Sequence, residues 1–262
     1  MNGISEREAR ESKRDMPLTR LMPNMLTMLA LCSGLSAIRF ALQGRWQEAV
    51  IAIVLAAVFD VLDGRVARLF NIASKFGAEL DSLADLTSFG VAPGFMLYLW
   101  SLQNEGGSLG WIAVLAFVAC MALRLARFNT MLEDHTAPKW TKSYFTGVPA
   151  PAGAGLALLP LILTLEFGPS VQLPAFLLAV WMLVVAGLMV SRLPTLSMKG
   201  RRIAPVFVAP TLAGACLLVA ALVTNPWMTL SGLGLLYLVM LPYGWYSYRR
   251  RKQKEAQESD YV

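Results

Sequence analysis

Apolar residues run along this chain in long blocks rather than in the one-faced or alternating patterns of a soluble domain. Eight such blocks lie near residues 23–43, 46–69, 79–102, 109–129, 147–166, 172–190, 204–223 and 228–247. Each is close to the roughly 20 residues that a helix needs to cross a hydrocarbon layer about 30 Å thick. Backbone N–H and C=O groups in that layer must be paired within their own segment, so the blocks are predicted to be α-helices. Connectors as short as Gln43-Gly44-Arg45 and Thr224-Asn225-Pro226 force the spans they join to be antiparallel. No internal repeat or low-complexity tract breaks the series. The predicted fold class is therefore all-α: a polytopic transmembrane helical bundle of about eight spans.

Composition agrees with the pattern. Hydrophobic residues make up 56% of the 262 positions and charged residues 15%, where soluble domains are nearer a quarter charged. The first 22 residues are polar and charged, so the first apolar block is expected to be a retained span and not a cleaved signal. Cys32, Cys120 and Cys216 sit inside apolar blocks at spacings that fit neither a zinc site nor a disulfide framework, and read as small buried hydrophobes. The single histidine, His135, falls in a polar loop and cannot build a histidine metal site.

The placement of positive charge gives an orientation. One side of the predicted bundle holds Arg7, Arg10, Lys13, Arg14 and Arg20, the 64–78 turn, the 130–146 loop, the 191–202 loop and the basic run 249–254. Of the 23 Lys and Arg residues, only Arg39 and Arg45 fall on the other side. The positive-inside rule makes the first side cytoplasmic, with both termini on it, in a cytoplasmic (inner) membrane of the bacterial type. The net charge of +6 thus reads as topology and as attraction to anionic lipid headgroups. It is not a sign of nucleic-acid binding, and none is expected.

The informative residues are acids where a membrane protein should avoid them. Asp60 and Asp63 close the second span, and Asp81 and Asp85 open the third. Spacings of three and four put each pair on one helix face, and the tight turn between the spans lets the two faces converge. An Asp at the centre of a membrane helix costs about 2.5–3.5 kcal/mol, so four approach roughly 10–14 kcal/mol, less near the interface. Packing does not require that expense, and four converging carboxylates repel one another unless cations neutralise them. All-oxygen ligation suits Mg²⁺ or Mn²⁺, and four acids can hold two such ions. The plainer account pairs them with Arg65, Arg68 and Lys75, which would explain one acid better than four in register. Gly64, Ala67 and Gly77 clear bulk from the same face, as a backbone must where a ligand comes close.

Residues 60–85 read D-x-x-D-G-x-x-A-R, eight residues, then G-x-x-x-D-x-x-x-D, carried by Asp60, Asp63, Gly64, Ala67, Arg68, Gly77, Asp81 and Asp85. This closely resembles the signature of the CDP-alcohol phosphotransferase family. The likeness covers roughly residues 20–190 and leaves the last two spans outside it. It implies a six-helix catalytic membrane core over 23–190, usually dimeric, with a cytoplasm-facing site and two divalent ions. A basic juxtamembrane segment (1–22), a basic loop with two additional helices (191–247) and a basic and polar tail (248–262) would flank that core. Three further stretches resemble the phosphatidylserine synthase branch: Asp81 through Pro93, Arg124-Leu125-Ala126-Arg127-Phe128-Asn129, and Phe145-Thr146-Gly147-Val148-Pro149.

The resemblance implies roles residue by residue. Asp60, Asp63, Asp81 and Asp85 would be metal ligands, with Asp85 also removing the proton of the acceptor alcohol. Gly64, Ala67, Arg68, Ser74, Gly77, Asn24 and Thr27 would contact the CDP-lipid, although Asn24 and Thr27 fit helix entry and local capping nearly as well. Arg124, Arg127 and Asn129 would hold serine, although the arginines also suit a positive-inside boundary. The implied reaction joins CDP-diacylglycerol and L-serine into phosphatidylserine and CMP in a homodimer surrounded by membrane lipids. A sibling using glycerol 3-phosphate, inositol phosphate or choline is the alternative. A cation transporter would carry acids near the midplane of several spans, whereas these cluster at one end of two.

Overall fold

The computed structural model describes residues 22–70, 74–103, 107–133, 144–191, 194–196 and 208–259. The N-terminal basic segment, His135, and most of the 130–146 and 191–202 loops lie outside these residues. Eight helices appear among those described: α1 (Met22–Leu42), α2 (Trp46–Leu69), α3 (residues 75–102), α4 (Gly107–Glu133), α5 (Ala150–Phe167), α6 (Ala175–Val190), α7 (Val208–Thr224) and α8 (Pro226–Ser259). Each predicted block matches one helix. Met22–Leu42, Gly107–Thr130 and Ala150–Phe167 are long and apolar enough to cross a membrane unaided, while Ala175–Val190, Ala209–Thr224 and Pro226–Pro242 are shorter apolar helices. The chain is an all-α polytopic membrane protein.

Small side chains decide how the helices meet. The buried faces of α1 and α2 are rich in alanine, with Ala30, Ala37 and Ala41 on one and Ala49, Ala52 and Ala56 on the other. Lipid tails are as apolar as leucine, so close backbone approach and van der Waals contact hold such pairs together. The antiparallel corner between α1 and α2 is closed by Arg45, whose guanidinium bonds Glu48 at 2.9 Å and lies 5.0 Å from the centre of the Phe40 ring.

Helix α3 is continuous but not uniform. An α segment, Lys75–Asp85, passes into a π segment, Leu86–Val91, then Ala92–Leu97 as α and Tyr98–Leu102 as π. The first π turn lies just ahead of Pro93, whose ring and missing N–H cannot fit the tight register of an α-helix interior. The Ala92 N–H instead reaches back five residues to the Thr87 carbonyl. A second proline is accommodated differently. Pro160 inside α5 has no N–H for the Leu156 carbonyl, and the Trp181 indole of α6 donates to that oxygen at 2.9 Å. A backbone acceptor that would be orphaned in lipid is thereby satisfied from the neighbouring helix.

Two features were not predicted. Tyr144–Thr146 (β1) pairs antiparallel with Pro194–Leu196 (β2), Phe145 opposite Thr195, in a small ribbon. Strands of three residues show no readable alternation, so the patterning placed loops there. The ribbon accounts for Gly147, which follows β1 with φ of 85°. A Cβ at that position would stand 2.5 Å from the Met189 carbonyl oxygen and 3.0 Å from that of Ser191, at the end of α6. Second, α8 continues to Ser259, past the predicted limit of 247. At 1.5 Å per residue its 34 residues span about 51 Å, well beyond a hydrocarbon layer. Helix α7 joins the bundle mainly through α8, and its residues 209–220 are all exposed.

Candidate active site

Asp60 and Asp63 sit one turn apart near the end of α2, and Asp81 and Asp85 one turn apart near the start of α3. Carboxylate oxygens of Asp60, Asp63 and Asp81 all lie within 4.8 Å of one another. Asp85 is outside that trio, one helical turn beyond Asp81, within electrostatic reach of the other three and of Arg124 on α4. Asp63 is the most deeply buried of them at 5% exposure. Thr27 on α1 fixes it: its Oγ1 donates to Asp63 Oδ2 at 2.6 Å and lies 3.0 Å from the Pro23 carbonyl.

Among the described residues no protein cation forms a salt bridge with the acids, although Arg124 is within electrostatic reach of Asp60 and Asp85. Among the described residues the only salt bridge is Arg45 with Glu48, at the opposite end of α2. Arg65, Arg68 and Lys75 therefore form no salt bridges with the acids. Two unit charges about 4.8 Å apart repel by roughly 3–4 kcal/mol at an effective dielectric of about 20. Three carboxylates held at that spacing make a donor set that fits a hard divalent cation. Asp60, Asp63 and Asp81 are the residues placed to hold one, with Asp85 next along α3.

A cleft opens beside the acids, with about 520 Å³ of empty space including its mouth. Asn24 and Thr27 of α1, Asp63, Gly64 and Ala67 of α2, and Ser74, Gly77 and Asp81 at the head of α3 line it. Six of the seven residues expected to contact the CDP-lipid thus face one space. Ser74 is the N-cap of α3, its Oγ accepting from the Gly77 N–H at 3.0 Å. A Cβ on Gly77 would lie 3.1 Å from both Asn24 Oδ1 and Ser74 Oγ, so a larger residue would crowd the wall between α1 and α3. The free N–H groups and positive dipole at the head of α3 favour a negatively charged ligand there. The seventh residue, Arg68, does not line the cleft; its Nε donates to the Gly64 carbonyl one turn back, at 2.7 Å.

The three α4 residues expected on the acceptor side separate. Arg124 approaches the acids, within electrostatic reach of Asp85 and Asp60. Arg127 Nη1 instead lies 3.5 Å from the Val190 carbonyl at the end of α6. Asn129 Nδ2 donates to Ser82 Oγ at 2.9 Å, tying α4 to α3. One residue near the site went unnoticed in the sequence: Tyr237 of α8, which faces Arg124. An isolated tyrosine in an apolar span carries no signal of its own.

This acidic helix pair with its adjoining cleft belongs to a known class. The CDP-alcohol phosphatidyltransferase family model matches residues 20–191, and the chain belongs to that family of membrane-bound transferases. A second family model, CDP-alcohol phosphatidyltransferase 2, matches residues 206–242, so the likeness also reaches α7 and the first half of α8. The chain is 39% identical to the CDP-diacylglycerol–serine O-phosphatidyltransferase of Mycobacterium leprae over 88% of its own length and 76% of the relative's. It is 37% identical to the protein of that name from Mycobacterium tuberculosis, over 86% and 78%. It is 41% identical to the one from Methanocaldococcus jannaschii, over 49% and 54%.

Proposed function

We propose that this enzyme transfers the phosphatidyl group of CDP-diacylglycerol to the hydroxyl of L-serine, forming phosphatidylserine and releasing CMP. The observation that carries this reading is the trio Asp60, Asp63 and Asp81, without a salt-bridge partner among the described residues, two of whose members line a cleft headed by a helix N-terminus. The names of its relatives supply the acceptor. We assign two divalent ions, Mg²⁺ or Mn²⁺, to Asp60, Asp63, Asp81 and Asp85. What such ions supply when bound is neutralisation of the diphosphate and of the departing CMP.

The remaining work falls to the chain. Ser74 and the N–H groups at the head of α3 receive the diphosphate, and Gly64, Ala67 and Gly77 leave room for it, with Asn24 bordering the nucleotide and Thr27 holding Asp63 in place. The exposed guanidinium of Arg68 adds charge at the mouth. Asp85 takes the serine hydroxyl proton as the oxygen bonds to the lipid-side phosphorus, and the bond from that phosphorus to the CMP oxygen breaks. Arg124 attracts the serine carboxylate, with Arg127 and Asn129 farther along α4 at the edge of the acceptor side.

Purified enzyme given CDP-diacylglycerol and, separately, serine, glycerol 3-phosphate, inositol phosphate or choline is expected to release CMP with serine. Loss of a hydrogen bond to a charged group costs about 1.5–3 kcal/mol, so Arg124→Ala should raise the serine KM roughly ten- to hundredfold and leave the CDP-lipid KM nearly unchanged. Arg68→Ala should do the reverse. CMP release with another alcohol and none with serine would overturn the acceptor assignment.

The orientation we infer puts both termini and the 64–78 turn in the cytoplasm, on the strength of the basic residues gathered at that end. Single cysteines at Ser5, Asn71 and Asn225, in a protein whose Cys32, Cys120 and Cys216 have been replaced, can be probed with an impermeant thiol reagent. Labelling from outside intact cells is expected at Asn225 alone, and labelling at Asn71 would reverse the orientation.

A further inference from the structure

Tyr237 lies on α8, outside the residues 20–191 that carry the acidic signature but inside the second matched stretch. Its helix is firmly docked. Gly234 lets α8 press so close to α5 that a Cβ there would stand 2.7 Å from Leu159 Cδ1, and Trp227, Leu230, Leu238 and Leu241 pack against the core. The Tyr237 hydroxyl is one of two buried side-chain polar atoms without a hydrogen-bond partner among the described residues. Burying an unpaired hydroxyl is costly, and each such group calls for a cause. Tyr237 faces Arg124 across the bundle within electrostatic reach. Yet Arg124 makes neither a hydrogen bond nor a salt bridge among the described residues. Two donors thus lie within electrostatic reach of each other without bonding each other, and the guanidinium is in reach of Asp85 and Asp60.

We propose that Tyr237 and Arg124 together bind the carboxylate of the amino-acid acceptor, so that α8 contributes a specificity-determining residue to the reaction. The electrostatics orient the ligand. A carboxylate is repelled by the acid cluster and drawn to the guanidinium and phenol on its far side, while the ammonium and hydroxyl of the same molecule turn toward Asp85. An alcohol without a carboxylate would leave both donors unpaired in a buried site, the arrangement by which a polar site rejects an analogue.

This inference rests on the serine reading above, and its test separates the two. Serine and CDP-diacylglycerol saturation curves are measured on the wild type, Arg124→Ala and Tyr237→Phe, with melting temperature in detergent as the check on folding. Tyr237→Phe keeps the ring and removes only the hydroxyl, so it should melt near the wild type. Its serine KM is expected to rise about tenfold, the effect of losing one hydrogen bond to a charged group, with kcat and the CDP-lipid KM little changed. If Arg124→Ala raises the serine KM and Tyr237→Phe leaves it within twofold, the role of Tyr237 is overturned and the serine reading stands. If Tyr237→Phe raises the CDP-lipid KM instead, the hydroxyl serves the donor substrate and the proposal falls. If neither variant moves the serine KM, the serine site itself is elsewhere and both readings fall.

Discussion

Replacing any one of Asp60, Asp63, Asp81 or Asp85 with asparagine is expected to lower CMP release by more than a hundredfold while the protein still inserts and melts normally. Asparagine keeps the shape and one oxygen but removes the charge that makes the position a cation ligand. Groups that only support a metal ligand typically account for about 10–100-fold in metal affinity or activity, and direct ligands should exceed that. Thr27→Val supplies the comparison. It removes the hydroxyl held 2.6 Å from Asp63 Oδ2 without touching an acid, and should fall within that smaller range. EDTA should abolish activity, and Mg²⁺ or Mn²⁺ should restore it. Two or more of the four asparagine variants working at near wild-type rate would remove the metal site from the account.

The second large effect concerns stability. Gly34→Val should sharply reduce the amount of folded protein, because α1 crosses α3 there with no space for a side chain. A Cβ at Gly34 would stand 2.7 Å from Ser88 Cα and 2.8 Å from Ser88 Cβ. The obstacle is backbone, which cannot swing aside as a flexible side chain would. Ser88 is itself buried and donates from Oγ to the Ala30 carbonyl at 3.1 Å, pinning the two helices together. Overpacking of an ordinary core costs about 1–3 kcal/mol, and a backbone clash belongs at or above the top of that range. The loss should also reach the site, since α1 carries Asn24 and Thr27 along one wall of the cleft. Gly155→Ala is the control, a helical glycine with nothing within 4 Å of its added Cβ, and should be nearly neutral. Thermal melting of both variants in detergent checks this; a Gly34→Val protein as stable as the control would mean the α1–α3 contact is looser than described.

The parts legible in the sequence were those governed by local periodicity. Length and apolarity located all eight helices, because a span must satisfy its own backbone whatever its neighbours do. Helical spacing put Asp60 with Asp63 and Asp81 with Asp85, and the few residues between Phe70 and Ser74 left α2 and α3 little choice but to bring them together. Features that depend on distant residues were not legible. The separation of Arg124 from Arg127 and Asn129 is one: a spacing of three puts two arginines on one face, but the end of α6 offers Arg127 a carbonyl that no spacing rule reveals. Asp85 standing outside the trio is another, a matter of rise along α3. The ribbon depends on pairing beyond any local window, and the π turn ahead of Pro93 is a change of helix register to which apolar periodicity is blind. Tyr237 meets Arg124 only because α8, far along the chain from α4, packs back against the core.

The most direct test follows the phosphorus atom. CDP-diacylglycerol labelled at the phosphorus attached to diacylglycerol is incubated with serine and purified enzyme, and lipid and nucleotide products are separated. The account predicts that, with Mg²⁺ or Mn²⁺ present, all transferred label appears in phosphatidylserine, with one unlabelled CMP released for each and no turnover once the cation is chelated. Label recovered in the nucleotide would show that diacylglycerol leaves in place of CMP, and label in phosphatidic acid while serine is saturating would show that the cytidine-side phosphorus is attacked or that water is the acceptor; either result would contradict it.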